Sequence, residues 1–273
     1  GLNGLLGNAT KWVKESLSFD KHQTVSFFET TIRCLGGLMS VYDLTGNDIF
    51  LHKAKDLARR LSAVFNSGNG MPLSEVNLAS GSAHAAQWTG GSVLLAEVGT
   101  IQLEFKSCAD RSKDPSLGEK AVRVFEKLDP KRGGPALPLR GQFPIYIDTN
   151  HIRYRNNHIT WGAMGDSFYE YLLKYYIYEG KQDDALRVMY IEASEGMLHH
   201  LYRKHSASGL YYIAEWRSGQ LDDKMDELAC FTGGMLALGV IHQVLDNDVM
   251  VQRHTAAAEQ LGETCYQMFA RVH

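Results

Sequence analysis

Across 273 residues, 28 Lys and Arg stand against 31 Asp and Glu, a formal charge of −3. That balance leaves no surplus of cations for a phosphate backbone or an anionic bilayer, so no nucleic-acid partner is expected. Hydrophobic residues make up 44% and charged residues 22%, which excludes a disordered or collagenous chain. The longest unbroken apolar stretch, around Met235 to Ile241, falls far short of the roughly 20 residues that cross a bilayer, and no membrane contact is expected from this segment.

In chain order, the first clear signal is an apolar stripe at Phe28, Ile32, Leu35, Met39 and Tyr42, which predicts a helix from about Val25 to Leu44 ending at Thr45-Gly46. A second stripe at Phe50, Ala54, Leu57, Leu61 and Val64 is opened by Asn47 or Asp48 as N-cap and closed by the glycine-rich turn at 66–70. Together these predict an αα-hairpin. The pattern returns at Leu94, Val98, Ile101, Phe105 and Cys108, followed by a helix that Asp114-Pro115 starts. It returns again at Tyr169 to Tyr176 and Leu186 to Leu201, and finally from about Cys230 to Val244 and from Met250 onward. Short strands are predicted within Met71–Asn77, Ile145–Trp161 and Leu210–Trp216, where β-branched and aromatic residues cluster between Gly, Pro or Asn. Four of the six prolines, Pro130, Pro135, Pro138 and Pro144, mark one long surface loop. The expectation is a single all-α domain over 1–273, built from helical hairpins stacked side by side, an arrangement that can close into a toroid.

The chain starts at Gly1 without a Met or signal-like segment and stops at His273 within a helical pattern, so an incomplete piece is expected. Four cysteines, Cys34, Cys108, Cys230 and Cys265, are too few for a disulfide-built scaffold, though one bridge remains open. The triplet Asn8-Ala9-Thr10 is a glycosylation sequon that matters only in a secretory compartment.

Chemistry is sought in polar residues placed beside apolar faces. Glu29 and Arg33, four apart, flank Phe28 and Ile32; they are either an ion pair on a helix shoulder or groups at a buried mouth. Gly36-Gly37, one turn on, suggests close approach by a neighbour or a ligand. Glu97 and Glu104 share a predicted face with Ile101, again either solvated or facing a site. Asp166 opens a helix, and Ser167 with Glu170 matches a capping box that would account for the local polarity. The cluster His199, His200 and His205 reads as a solvated helix end. No nucleotide loop, zinc-protease helix, nucleophile elbow or EF-hand loop is present. Carboxylates beside apolar faces of a helical ring suit glycoside hydrolysis, which uses two carboxyl groups flanking the bond to be cut.

Longer blocks carry a resemblance. Ser26 to Arg33 with Gly36-Gly37-Leu38, Leu95 to Phe105, Gly165 to Lys174, Tyr212 to Trp216, Lys224-Met225-Asp226, and Cys230-Phe231 with Gly234 to Gly239 are similar, in the same order, to class I α-1,2-mannosidases of glycoside hydrolase family 47. The Asp166 and Tyr212 blocks resemble Golgi-type members, and the Phe27 to Arg33 block resembles the endoplasmic-reticulum type. The resemblance implies an (α/α)7 toroid, present here in part, calcium dependence, and inverting removal of terminal α-1,2-linked mannose from high-mannose N-glycans. It implies Glu29 as the proton-donating acid, sheltered against Phe28 and Ile32, and Asp166 as a second catalytic carboxylate. Arg33, Glu97, Asp226 and Leu228 would hold substrate or water. It further implies a disulfide between Cys230 and Cys265, leaving Cys34 and Cys108 as buried thiols. The family's catalytic base and the Thr that binds calcium lie beyond the matched blocks, so no metal ligand and no turnover are expected from these 273 residues alone. Met164 stands where endoplasmic-reticulum-type enzymes carry Arg, and Glu227 where many members have His, which touches branch preference. A monomer in the Golgi or endoplasmic-reticulum lumen, or a secreted one, is implied. The rivals are a non-hydrolysing binder of mannose-rich glycans and an unrelated helical-toroid hydrolase.

Overall fold

The computed structural model describes residues 1–271. Eleven helices, with short strands between them, follow in the order α1 (Leu2–Glu15), β1 (Thr24–Ser26), α2 (Phe27–Thr30), α3 (Gly36–Thr45), α4 (Asp48–Leu61), β2 (Glu75–Asn77), β3 (Ala83–His84), β4 (Ser92–Leu94), α5 (Leu95–Gly99), α6 (Gln102–Ser112) and α7 (Ser116–Leu128), then β5 (Tyr146–Asp148), β6 (Arg153–Tyr154), α8 (Asp166–Tyr178), α9 (Asp184–His200), β7 (Tyr202–Lys204), β8 (Tyr211–Ile213), β9 (Glu215–Arg217), β10 (Gln220–Asp222), α10 (Phe231–Ile241) and α11 (Asp248–Ala270). They form two compact units. The first comprises Gly1–Val93, Thr100–Lys127 and Thr149–His151; the second comprises Leu94–Gly99, Leu128–Asp148 and Ile152–His273.

In the first unit, α3 and α4 make the predicted hairpin. Gly46 stops α3 at φ 66°, a left-handed conformation that costs glycine nothing, and Asn47 Oδ1 accepts the Ile49 N–H to start α4. Phe50, Ala54, Leu57 and Leu61 are buried on the predicted face, each such large apolar side chain contributing about 1.5–3 kcal/mol when fully covered. α7 repeats the logic with Leu117, Ala121, Val124 and Phe125, and Gly118 lets it lie close to Lys106 and Ala109 of α6. Phe27, Phe65 and Phe105 pack edge-on or tilted, with centroids 5.7–6.1 Å apart. α1 buries none of its residues.

The run predicted as one helix from Val25 is three pieces. Thr24–Ser26 is a strand paired with Asn77–Glu75, and Ser26 Oγ caps the helix that follows by accepting the Glu29 N–H. A π turn then occupies Thr31–Leu35, where the Gly36 N–H reaches back to the Thr31 carbonyl. The inserted residue rotates the face: Phe27, Thr31, Leu35 and Met39 are buried, while Phe28 and Ile32 are only half-buried. The third predicted helix is also divided. It breaks between α5 and α6 at Thr100 and Ile101, so Glu97 and Glu104 lie on separate helices rather than on one.

In the second unit, α8–α9 and α10–α11 are hairpins. α8 is apolar nearly all round and buries Phe168, Tyr169, Tyr171, Leu172, Leu173, Tyr175 and Tyr176, as an enclosed helix must. Trp161 stacks on Tyr169 at 3.9 Å between centroids and donates from Nε1 to Gln142 Oε1. Short antiparallel pairs, β5–β6, β7–β8 and β9–β10, lie between the helices. Cys230 and Cys265 form the disulfide that the resemblance implied, joining the start of α10 to α11. Cys108 is a buried thiol whose pKa burial pushes up to about 11; Cys34, expected to be buried, is exposed because the π turn carries it outward with Arg33. The capping box at Ser167 does not form. α8 begins at Asp166, as expected, so Ser167 already lies inside the helix, and Glu170 pairs with Lys174 instead.

Candidate active site

In the first unit, Glu29 sits in the single turn of α2, and Arg33 lies in the π turn four residues on. The Arg33 guanidinium donates to the Glu29 carboxylate, and both side chains are open to solvent, 72% and 47% exposed. The apolar shelter expected from Phe28 and Ile32 is absent, because the π turn moves the packed side of the helix onto Phe27 and Thr31. What remains is a water-accessible carboxylate whose position is held by a cation, on a backbone irregularity of the kind that recurs at functional sites. Gly36 explains its missing side chain: a Cβ there would touch Glu104 Cγ at 3.4 Å, whereas Gly37 faces open space.

In the second unit, Asp166, Asp226 and the helix carrying Glu97 belong to one neighbourhood. α5 is held by two backbone bonds, Leu95 N–H to the Ile145 carbonyl and Ala96 N–H to the Met164 carbonyl, 3.0 and 2.9 Å. Glu97 itself is half-buried. Gly99 is glycine because a Cβ would fall 2.4 Å from Phe168 Cδ2, so α5 could not otherwise lie against α8. The turn leading into α8 is tight: Met164 adopts φ 75°, strained for a residue with a side chain, and a Cβ on Gly165 would meet the Thr160 carbonyl oxygen at 2.3 Å.

This turn aims Asp166 at the N-terminus of α8. Burial pushes its carboxyl above the usual carboxylate range, against the Ser167 N–H and hydroxyl that donate to Oδ1 at 2.7 and 3.2 Å, and the charges of Glu170 and Asp226 act in the same upward direction. Asp226 approaches from the loop before α10. Its Oδ1 accepts the Leu228 N–H at 2.9 Å, which caps the short 3-10 turn Glu227–Cys230 and leaves Leu228 52% exposed. Gly162 receives Asp226 directly, since a Cβ on Gly162 would lie 2.3 Å from Asp226 Cβ.

The structure thus groups the predicted residues as Glu29 with Arg33, and Asp166 with Asp226 and Leu228 beside the helix of Glu97. A cavity of about 660 Å³ lined by Arg140, Glu192, Glu195, His199 and Arg253 contains none of them. Sequence reasoning assigned no part to Gly162 or to the buried Glu215. Parity could have flagged the latter: Ile213 and Glu215, two apart in extended chain, are 2% and 3% exposed, so a carboxylate occupies an inward position.

A family model, glycosyl hydrolase family 47, matches residues 1–273. A mannosyl-oligosaccharide 1,2-α-mannosidase of Arabidopsis thaliana is 41% identical, over 98% of this chain and 47% of its own length. The endoplasmic reticulum mannosyl-oligosaccharide 1,2-α-mannosidase of Homo sapiens is 40% identical, over 98% of this chain and 37% of its own. The chain therefore spans less than half the length of these relatives. The solved α-1,2-mannosidase from Trichoderma reesei superposes with a TM-score of 0.83 at 22% identity, covering 95% of this chain and 55% of that one. That match establishes the fold: the helical-hairpin architecture is part of the family's α-toroid.

Proposed function

Because the chain belongs to glycosyl hydrolase family 47, we propose that the whole protein is an exo-acting α-1,2-mannosidase that removes terminal α-1,2-linked mannose from high-mannose N-glycans with inversion. The observation that carries this reading is the identity of 36–41%, across almost the whole chain, to proteins named as mannosyl-oligosaccharide 1,2-α-mannosidases.

Glu29 is the general acid that protonates the departing glycosidic oxygen, and Arg33, already donating to its carboxylate, fixes its position. Asp166 is a second catalytic carboxylate, and the burial that raises its pKa above the ordinary carboxylate range is typical of carboxyls that exchange protons in a site. Glu97, Asp226 and Leu228 hold the sugar or the water; the 52% exposure of Leu228 supports an apolar contact with the hexose ring. In an inverting reaction the attacking water needs a carboxylate on the face opposite the acid, with about 6.5–9.5 Å between the carboxyl groups. Both compact units are read as parts of one catalytic domain, which the family match over 1–273 supports.

Calcium is proposed as the cofactor of the whole protein. Among the described residues no three His, Cys, Asp or Glu side chains are grouped to hold a metal ion. A monomer is proposed, and its placement in the secretory lumen is supported by the Cys230–Cys265 disulfide and by the relatives named for the endoplasmic reticulum. Among the described residues no helix is long and apolar enough to cross a membrane.

The test is mannose release from a high-mannose N-glycan by the whole protein, with and without a calcium chelator. Glu29→Gln is expected to slow release by about 100-fold or more, the usual share of a general acid. Full activity in that variant would remove the acid role from Glu29. Glycan binding without release by the unaltered protein would overturn the hydrolase reading.

A further inference from the structure

We propose that Glu215 is a positioning residue for the glycan site: its buried carboxylate holds the loop of Asp226 and Leu228 against the turn that leads into Asp166. The proposal rests on the reading of Asp226 and Leu228 as substrate contacts. Glu215 is 3% exposed, yet three cationic or donor side chains converge on it. His158 Nε2 lies 3.0 Å from Oε2, Arg217 Nε and Nη2 donate to the same oxygen at 2.9 and 2.7 Å, and Lys224 Nζ reaches Oε1 at 3.3 Å. Arg217 also faces Asp222 at 3.5 Å.

The partners explain what this carboxylate accomplishes. Lys224 stands two residues before Asp226, and His158 stands eight before Asp166, so one side chain ties together the approaches to both acids. Backbone pairing runs the same way. β9 lies between β10, with Glu215 opposite Asp222, and Ile159, which exchanges two bonds of 2.9 Å with Trp216. Downstream of Ile159 the chain passes through Trp161, stacked on Tyr169, to Gly162, where Asp226 seats without room for a Cβ. Glu215 and Gly162 therefore act on one contact from two sides: the former holds the loop in, and the latter leaves space for it. A carboxylate that served only to fill the interior would be out-competed by an apolar side chain, since buried ion pairs barely repay their desolvation. A role in registering two segments accounts for the choice.

The experiment measures KM and kcat of the whole protein on an α-1,2-linked manno-oligosaccharide, with circular dichroism as the check on folding. Glu215→Gln is expected to raise KM about tenfold with kcat within about threefold, because only substrate holding is disturbed. Glu215→Asp should recover part of that loss. Gly162→Ala, which pushes Asp226 aside, should raise KM in the same way. Combined with Asp226→Ala, Glu215→Gln should add little further, since both act through one contact. Lys224→Met, at a side chain 53% exposed, releases the tie without emptying the interior and should also raise KM, which keeps the test open if Glu215→Gln fails to fold. An unchanged KM in Glu215→Gln and Lys224→Met, alongside a raised one in Asp226→Ala, overturns the positioning role alone. An unchanged KM in Asp226→Ala overturns the site assignment and the positioning role with it.

Discussion

A carboxylate held above its ordinary pKa by burial is destabilising in its charged form, and Asp166 is such a group. Its folded-state pKa exceeds the unfolded value, so it favours folding only while protonated; that contribution is complete below the unfolded carboxylate range and is lost as pH rises through the folded value. At neutral pH the protein therefore carries a strained acid at the start of α8. Asp166→Asn keeps an oxygen to accept from Ser167 and removes the charge. It is expected to raise stability at pH 7 by ~0.5–2 kcal/mol, the range of single stabilising changes, and, on the catalytic role proposed for Asp166, to abolish mannose release by the whole protein. Thermal denaturation at pH 7 and pH 4 checks this: the gain should shrink at the lower pH, and a loss of stability at pH 7 would contradict the assignment of strain to Asp166. The same residue illustrates what sequence conveys about a site. Its place at a helix start was legible, but Ser167 and Glu170 offered an innocent explanation that only the true first residue of α8 removes.

Elements with one continuous periodicity were legible in full. In α4, the Asn47 cap and four apolar residues at steps of 4, 3 and 4 define both the ends and the buried face, because no long-range contact overrides them. Thr24–Thr45 and Leu94–Ser112 were not, for a physical reason. A π turn at Thr31–Leu35 and a break at Thr100–Ile101 each shift the helical phase, yet the apolar residues on either side still fall at spacings that one helix would accept. Shelter for Glu29 and a single helix carrying both Glu97 and Glu104 were lost with that phase. The α10–α11 hairpin adds a covalent tie absent from the other pairs, Cys230 to Cys265, closing 35 residues. In the chain-entropy account, a loop of that length lowers the unfolded state's entropy by an amount equivalent to about 4 kcal/mol. Replacing both cysteines by Ala should move the denaturant midpoint of the second unit down accordingly. If the midpoint stayed within the error of the unaltered protein, the tie would be dispensable to the hairpin.

At the scale of the whole molecule, the two units hold their charges differently. In the first, two ion pairs on the helices reach water: Arg33–Glu29 at 72% and 47% exposed, and Arg59–Asp114 at 60% and 22%. Such pairs contribute little to folding. The second unit encloses two titrating groups, His254 and Glu215. His254 of α11 is fully buried, with Nε2 2.9 Å from Glu195 Oε1 and Nδ1 without a partner to receive a second proton. Burial and the charge of Arg253 push its pKa down from 6.5 to about 4. A base depressed in this way stabilises the fold above the unfolded pKa and loses that contribution as pH falls from 6.5 towards 4. The span corresponds to at most ~3 kcal/mol, reduced by the Glu195 carboxylate that faces it. Burial alone would raise the Glu215 carboxyl, but the bonds from His158, Arg217 and Lys224 outweigh it and hold the group below its ordinary value. Its contribution is present above the unfolded carboxylate pKa and disappears as pH falls through the lowered one. Acid should therefore loosen the second unit first. Hydrogen-exchange protection factors are expected to fall in α9 and α11 between pH 7 and pH 4.5, while those of α4 and α7 hold; β9, held by Glu215, should follow only at lower pH. Equal losses in both sets of helices would mean that exposed pairs, not enclosed ones, govern acid stability.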